Sequence, residues 1–180
     1  MIFIQFTGLS GAGKTTIAHS VKMQMEKEGY RIEVIDADVY RPALCPDLGF
    51  SKQDRMENIR RLGFVANLLA KNGVITILAA INPYEEVRKE LVSKGTKVKT
   101  IWIDCDLETL IKRDTKGLYR KALLPDGYPG KIYNLTGVND VYEQPVAPDL
   151  VINTESENIG TSVKSVIDFI KRQTGNCKAG

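Results

Sequence analysis

Cysteine is scarce and scattered, with Cys45, Cys105 and Cys177 the three in 180 residues. An odd number at wide spacing offers neither a disulfide framework nor a C-x-x-C metal or redox motif, so the three read as inert thiols. Histidine is scarcer still. His19 stands alone, and a lone imidazole on a helical pattern reads as a surface or core residue, not as half of a catalytic pair. No apolar run comes near the roughly 20 residues that span a bilayer, and no N-terminal stretch has the charged start, apolar middle and small-residue cleavage site of a secretory signal. The expectation is a cytoplasmic protein with no membrane partner. An excess of one charge is also missing: 25 Lys and Arg face 22 Asp and Glu, a formal +3. With no dense basic tract, charge gives no reason to expect a nucleic acid. Internal repeats, linkers and low-complexity segments are absent. The composition, 43% hydrophobic and 26% charged, is that of an ordinary globular chain, and one domain over residues 1–180 is expected.

What is present is a loop. Gly8 to Thr15 reads G-L-S-G-A-G-K-T, a full match to G-x-x-x-x-G-K-[ST]. The apolar run Met1 to Phe6 precedes it and a helix-forming run follows. In such a strand–loop–helix unit the backbone N–H groups of Gly8, Leu9, Ser10, Gly11, Ala12 and Gly13 cradle phosphate oxygens. Glycines allow the close backbone approach, Lys14 reaches the β- and γ-phosphates, and the Thr15 hydroxyl, with Thr16 beside it, ligates Mg²⁺. A nucleoside triphosphate is the expected ligand.

Apolar runs alternate with helical patterns along the chain, the signature of a parallel sheet with crossover helices. Ile17, Val21 and Met25 recur at spacing four between Thr16 and Glu28, and Gly29 is placed to end that helix. Residues 31–35 read as a strand. Ile59, Leu62, Val65, Ala66 and Leu69 make an apolar stripe over 54–71, stopped by Asn72 and Gly73. The runs 74–80, 100–103 and 150–152 are further strands, the first continuous enough to be covered on both faces. A last helix is expected over about 159–171, with Gly175 to Gly180 as a frayed tail. Between Asp114 and Pro148 the pattern dissolves into Gly, Pro, Lys, Tyr and Asp, a length of irregular chain that is uncommon unless functional. It is a candidate lid.

A P-loop does not distinguish a kinase from an ATPase or a switch, so a second acidic element must decide. Asp36 and Asp104 both end strand-like runs. Asp36 is favoured, because Asp38 and Arg41 follow at once, at the carboxyl end where open α/β sheets bind ligands. Asp104 reads as structural, with Asp106 able to cap a helix starting near Leu107. Arg55, Asn58 and Arg61 would turn one face of the second helix toward the nucleotide edge, although helical arginines are equally often solvated. Phe50 is either a hydrophobic staple or a ring that stacks on a base.

These pieces together resemble the adenylylsulfate kinases, P-loop enzymes that phosphorylate the 3′-hydroxyl of adenosine 5′-phosphosulfate with MgATP. The resemblance covers almost the whole chain. It is carried by Gly8 to Thr15, by D-A-D-V-Y-R from Asp36 to Arg41, and by D-L-G-F-S from Asp47 with Asp54, Arg55 and Asn58 to Arg61. Further matches are I-N-P-Y from Ile81, R-D-T-K-G-L-Y from Arg113, L-T-G from Leu135, and Tyr142 with Glu143 before Pro145. The resemblance implies an α/β fold: a three-layer P-loop NTPase of the nucleoside-monophosphate-kinase type, with a mostly parallel five-stranded sheet flanked by helices and a lid at about 113–148. It implies ATP held by the P-loop and Arg113, Mg²⁺ at Thr15 and Asp36, and catalysis through Lys14 and Asp36, with Asp36 a base or a metal-associated group. A small-molecule nucleotide acceptor would be bound by Asp38, Arg41, Arg55 and Asn58, stacked on Phe50, and reached by Lys116 at its phosphosulfate end. Ile81, Asn82, Leu118 and Leu135 complete that acceptor set. A homodimer is compatible with the resemblance.

Four departures bear on the acceptor. Ala37 replaces a glycine between the two aspartates. Asn82 replaces a serine that is phosphorylated in some members, which removes that intermediate here. Leu135 replaces a phenylalanine that pairs with the Phe50 position around adenine, and Leu123 to Gly130 lengthens the lid. A related 3′-kinase acting on a cytidine diphosphate derivative, such as cytidine diphosphoramidate in capsule modification, is therefore the alternative. A regulatory nucleotide-binding module is another. The sequence speaks against it, because Thr96 to Lys99 lacks the aspartate that reads guanine and the D-x-x-G at Asp114 follows a helix.

Overall fold

Five strands run parallel in one sheet of order β2-β3-β1-β4-β5 in a computed structural model that describes residues 1–175. Cys177 and the tail beyond Gly175 lie outside the described residues. In chain order the elements are β1 (Phe3–Thr7), α1 (Lys14–Lys27), β2 (Ile32–Asp36), α2 (Ala37–Leu44), α3 (Lys52–Lys71), β3 (Ile75–Ala79), α4 (Glu85–Lys94), β4 (Val98–Asp104), α5 (Leu107–Arg113), α6 (Leu118–Ala122), β5 (Leu150–Asn153) and α7 (Ile159–Thr174).

The period-2 geometry of β1 sorts its residues between the two faces of the sheet. Ile2, Ile4 and Phe6 pack into one core with α1 and α7 residues such as Val21, Met25, Val166 and Ile170. Phe3 joins the opposite core with Ile59, Leu62 and Ala66 of α3 and Val87 and Leu91 of α4. A sheet covered on both faces explains why every residue of β1 and β3 is buried. Among the described residues no helix is long and apolar enough to cross a membrane.

The elements marked by long periodic patterns lie close to where the sequence puts them. Gly29 and Gly73 both take positive φ just past α1 and α3. Gly175, expected in a frayed tail, is instead the left-handed cap of α7. The start of α3 is two residues earlier than the apolar stripe indicates. Its start is set by a capping box in which Ser51 and Asp54 satisfy each other's backbone N–H groups. α2 has no buried residue and contains Pro42, so periodicity could not mark it; it forms because the Asp36 carboxylate accepts from Asp38 N at 2.9 Å. Asp106 does precede α5, but its side chain makes no capping bond. The segment after Asp114 is not wholly irregular. The Asp114 carboxylate accepts from the N–H groups of Tyr119 and Arg120, both at 2.9 Å, and so starts α6. The buried Tyr119 hydroxyl donates to the Ser10 carbonyl at 2.7 Å, tying α6 to the P-loop.

Parallel pairing brings every strand's carboxyl end to one edge, where Thr7 faces Trp102 and Asp36 faces Ala79 in register. Gly8 follows there, with φ +154, and a Cβ on it would stand 2.2 Å from the Ile103 carbonyl oxygen of β4. Gly8→Ala is expected to cost about 3 kcal/mol in urea denaturation, because backbone, not a movable side chain, blocks the methyl. A loss indistinguishable from zero would mean that the P-loop can lift off β4 freely.

Candidate active site

A cavity of about 660 Å³ opens at that carboxyl edge. Ser10, Gly11, Gly13, Lys14, Thr15 and Thr16 of the phosphate loop and helix start line it together with Asp36 and Asp38, and with Phe50, Arg55, Ile81, Lys116, Leu118 and Leu135. Segments as far apart as residues 10 and 136 meet here. Ala37, Ala79, Ala80, Thr115, Ile132, Asn134 and Thr136 also line it. Sequence reasoning did not single these out as lining residues. Alanines at the end of β3 read as strand core, and Ile132 and Asn134 carry no motif, whereas Thr136, inside L-T-G, had a signal available.

Lys14 dominates the electrostatics. It is 8% exposed, and its Nζ donates to the carbonyl oxygens of Gly8 at 2.8 Å and Leu9 at 2.7 Å. Burial, and then the positive charge of Lys116, pull its pKa from 10.5 to about 7, against the opposite pull of Asp38 and Asp36. A bound polyphosphate stabilises the ammonium form and raises that value again. Nucleotide affinity should therefore be level below about pH 7 and weaken as the pH climbs above it, since the amine must then gain a proton on binding. Calorimetry of ATP binding at pH 8.5, in buffers of different ionisation enthalpy, should show uptake of about one proton. No uptake would mean that Lys14 is already charged before the nucleotide arrives.

Thr15 Oγ1 donates to Asp36 Oδ2 at 2.7 Å while Asp36 Oδ1 holds the start of α2. Asp36 is 4% exposed and Thr15 is open to the cavity. A hydroxyl and a carboxylate oxygen side by side at a phosphate loop form a hard, oxygen-only donor pair. Such a pair suits Mg²⁺, which keeps most of its shell as water and phosphate oxygen.

The other wall is built around Phe50. Its ring is 57% exposed, so it is no core staple, and the guanidinium groups of Arg41 and Arg55 lie 4.5 and 5.6 Å from its centroid. Arg55 is itself held by Asp140 at 3.2 Å, the Asn134 carbonyl at 2.6 Å and Thr136 Oγ1 at 3.3 Å. It thereby joins α3 to the far end of the 113–148 segment. Lys116 Nζ lies 2.6 Å from Asp38 Oδ2, but both side chains are at least half exposed, so the pair is weakly held and open to exchange with an anionic ligand.

Several expected residues sit elsewhere. The Arg113 guanidinium donates to the Thr154 carbonyl at 3.0 Å and meets Cys105 Sγ at 3.5 Å, bracing two strand ends instead of lining the cavity. Arg41 stays outside the wall, drawn over Phe50 and onto the Gly49 carbonyl. Arg61 does not face the cavity edge. It grips Asp47 at 2.6 and 2.8 Å and Glu57 at 3.0 Å, and the Asp47 bonds raise its pKa further. Asn58 is buried on α3 with Oδ1 unpartnered and does not line the cavity. Asn82 is 1% exposed because its left-handed backbone, φ 47, turns the amide inward to Gln5 Oε1 at 2.9 Å. Gly8, Leu9 and Ala12 support the loop from behind, Leu9 packing over Gly137. Burial pushes the Asp104 carboxyl up, and its backbone carbonyl accepts from Thr154, in keeping with a structural place. His19 is exposed on α1.

Comparison with known proteins gives consistent matches. A model of the family described as adenylylsulphate kinase matches residues 1–153. The adenylyl-sulfate kinase of Chloroflexus aurantiacus is 43% identical over 171 residues, which covers 95% of this chain and 89% of that protein. That of Halothermothrix orenii is 42% identical over 175 residues, covering 96% and 90%. Among solved structures, the Mycobacterium tuberculosis APS kinase in complex with AMPPNP and APS has a TM-score of 0.86 at 36% identity, over 94% of this chain and 97% of that one.

Proposed function

The chain belongs to the adenylylsulphate kinase family, and from that premise we propose that it is an ATP-dependent kinase transferring a phosphoryl group to the 3′-hydroxyl of adenosine 5′-phosphosulfate. The products are 3′-phosphoadenylylsulfate and ADP. The observation that carries the reading is that one cavity is lined both by the phosphate loop and by Phe50, Arg55, Lys116 and Leu135. That leaves room for a second nucleotide facing the first.

In the proposed mechanism the P-loop amides and Lys14 hold the β- and γ-phosphates, and Asp36 orients the acceptor hydroxyl for in-line attack. Little covalent chemistry is required of the protein, so positioning and charge neutralisation dominate. Mg²⁺, held through Thr15 and Asp36, would supply charge neutralisation at the phosphate oxygens. Phe50 offers one apolar face to the acceptor base, and Leu135 and Ile132 offer the other. Lys116 exchanges Asp38 for the acceptor's anionic groups. The 113–148 segment acts as the lid, keeping water from the transferred group. A cytoplasmic location and a homodimer belong to the same proposal, the latter tested by light scattering.

The deciding experiment is ADP release from MgATP with adenosine 5′-phosphosulfate and, in parallel, with cytidine diphosphate derivatives. Turnover with adenosine 5′-phosphosulfate is expected. Turnover with the cytidine acceptor alone would overturn the substrate, and slow hydrolysis indifferent to either acceptor would replace the kinase reading with a regulatory one.

A further inference from the structure

Arg88 is a fully buried guanidinium, 2% exposed, that the proposed chemistry does not use. A buried charge is costly unless every donor is matched, and an apolar residue of similar size commonly serves a core as well or better. Here the matching is specific. Nη1 donates to the Asn82 carbonyl at 2.7 Å, Nη2 to the Glu143 carbonyl at 2.6 Å, and Nε to Glu85 Oε2 at 2.9 Å. One side chain thus joins the turn after β3 to the far end of the 113–148 segment.

A second chain of hydrogen bonds ties the same two pieces. A carbonyl can only accept and a hydroxyl carries one hydrogen, which sets the direction. Thr7 Oγ1 shares its hydrogen between the carbonyls of Ile81 and Asn82 at 3.0 and 3.1 Å, so the Tyr142 hydroxyl donates to Thr7 Oγ1 at 2.9 Å. The Ile81 carbonyl also accepts from Gly8 N at 3.2 Å. The turn is therefore held between the first residue of the phosphate loop and the far end of the 113–148 segment, with Ile81 in the cavity wall.

We propose that Arg88 and Tyr142 are positioning residues, a clasp that holds the Ile81–Asn82 turn so that the acceptor is aligned with the phosphate loop. This rests on the kinase reading above. The clasp touches no reacting atom; it acts through the cavity wall. Because Arg88 and Tyr142 hold the same turn from two sides, loosening either should affect the acceptor and spare ATP.

The test uses Tyr142→Phe, which removes one hydroxyl and keeps the ring, and Arg88→Lys, which keeps the charge but cannot reach all three acceptors. In the ligand-free full chain, amide exchange should quicken in both 81–85 and 140–144 in either variant. With adenosine 5′-phosphosulfate, kcat/KM for the acceptor should fall by about tenfold to a hundredfold, while ATP affinity stays unchanged. Faster exchange with unchanged acceptor kinetics would reduce the clasp to a structural feature and overturn the proposal. So would an equal loss in ATP affinity, or exchange that quickens in one segment alone. If the unmodified protein shows no turnover with this acceptor, the kinase reading itself fails, and that is seen before any variant is compared.

Discussion

Lys14→Met is expected to lower kcat about a thousandfold while leaving the protein at least as resistant to heat as the wild type. The two effects have one cause. The loop holds an amine in a place poor in water, where its charged form is disfavoured and its pKa falls to about 7. A lysine depressed in this way opposes folding: the penalty is complete below about pH 7 and fades as the pH rises toward the unfolded value of 10.5. A methionine has no charge to desolvate and a similar length, so the fold loses only two hydrogen bonds to loop carbonyls. The transition state, by contrast, loses the one cation the P-loop aims at the transferring phosphoryl group. Circular dichroism melting beside steady-state turnover measures both. A large drop in Tm, or a kcat within tenfold of wild type, would contradict this account of Lys14.

Asp36→Asn should lower turnover by about 10² to 10⁴ with ATP binding retained. Asparagine can still accept from Asp38 N and cap α2, so the substitution removes charge and proton affinity without removing the helix start. Asp36→Ala should match that loss of turnover and also cost about 1 kcal/mol of stability from the lost cap. Comparing the pair separates chemistry from architecture. Equal melting temperatures for the two variants would show that the 2.9 Å bond to Asp38 N contributes little. Near-normal turnover in Asp36→Asn would remove Asp36 from the reaction altogether. The Thr15–Asp36 bond at 2.7 Å gives a further reason for a large effect, since charge lost at Asp36 is lost at the proposed metal position too.

The phosphate loop, the sheet's parallel nature and the major helices were legible because each rests on neighbours in the chain. A glycine loop between an apolar run and a helix former has few alternatives, and the α3 stripe is a period that backbone geometry imposes. That Asp36 ends a strand at the ligand edge was legible for the same reason, since the apolar run and the acid are contiguous. Arg113, Arg41, Asn58, Arg61 and Asn82 show the limit. Each has the residue type and spacing expected of a ligand-facing group, yet Asn58 is buried with Oδ1 unpartnered, and Thr154, Phe50, Asp47 and Gln5 claim the other four. Those partners lie far away in sequence or on the other side of a short loop, and a side chain's direction is settled by whichever partner satisfies its polar atoms at least cost in burial.

The sequence alone determined the class of ligand, the family pattern, the strands, the phosphate loop and the long helices, though not α2 and α6, which carry Asp38 and Leu118, because the former follow from short-range periodicity and from the chemistry of contiguous residues. Only the tertiary structure decided which side chains enter the cavity, that Phe50 is exposed under two guanidinium groups, that Lys14 is desolvated, and that Arg88 and Tyr142 meet at one turn. Those outcomes depend on parallel strands bringing residues 7, 36, 81 and 142 to one edge, and on the competition for hydrogen bonds that begins once they are there.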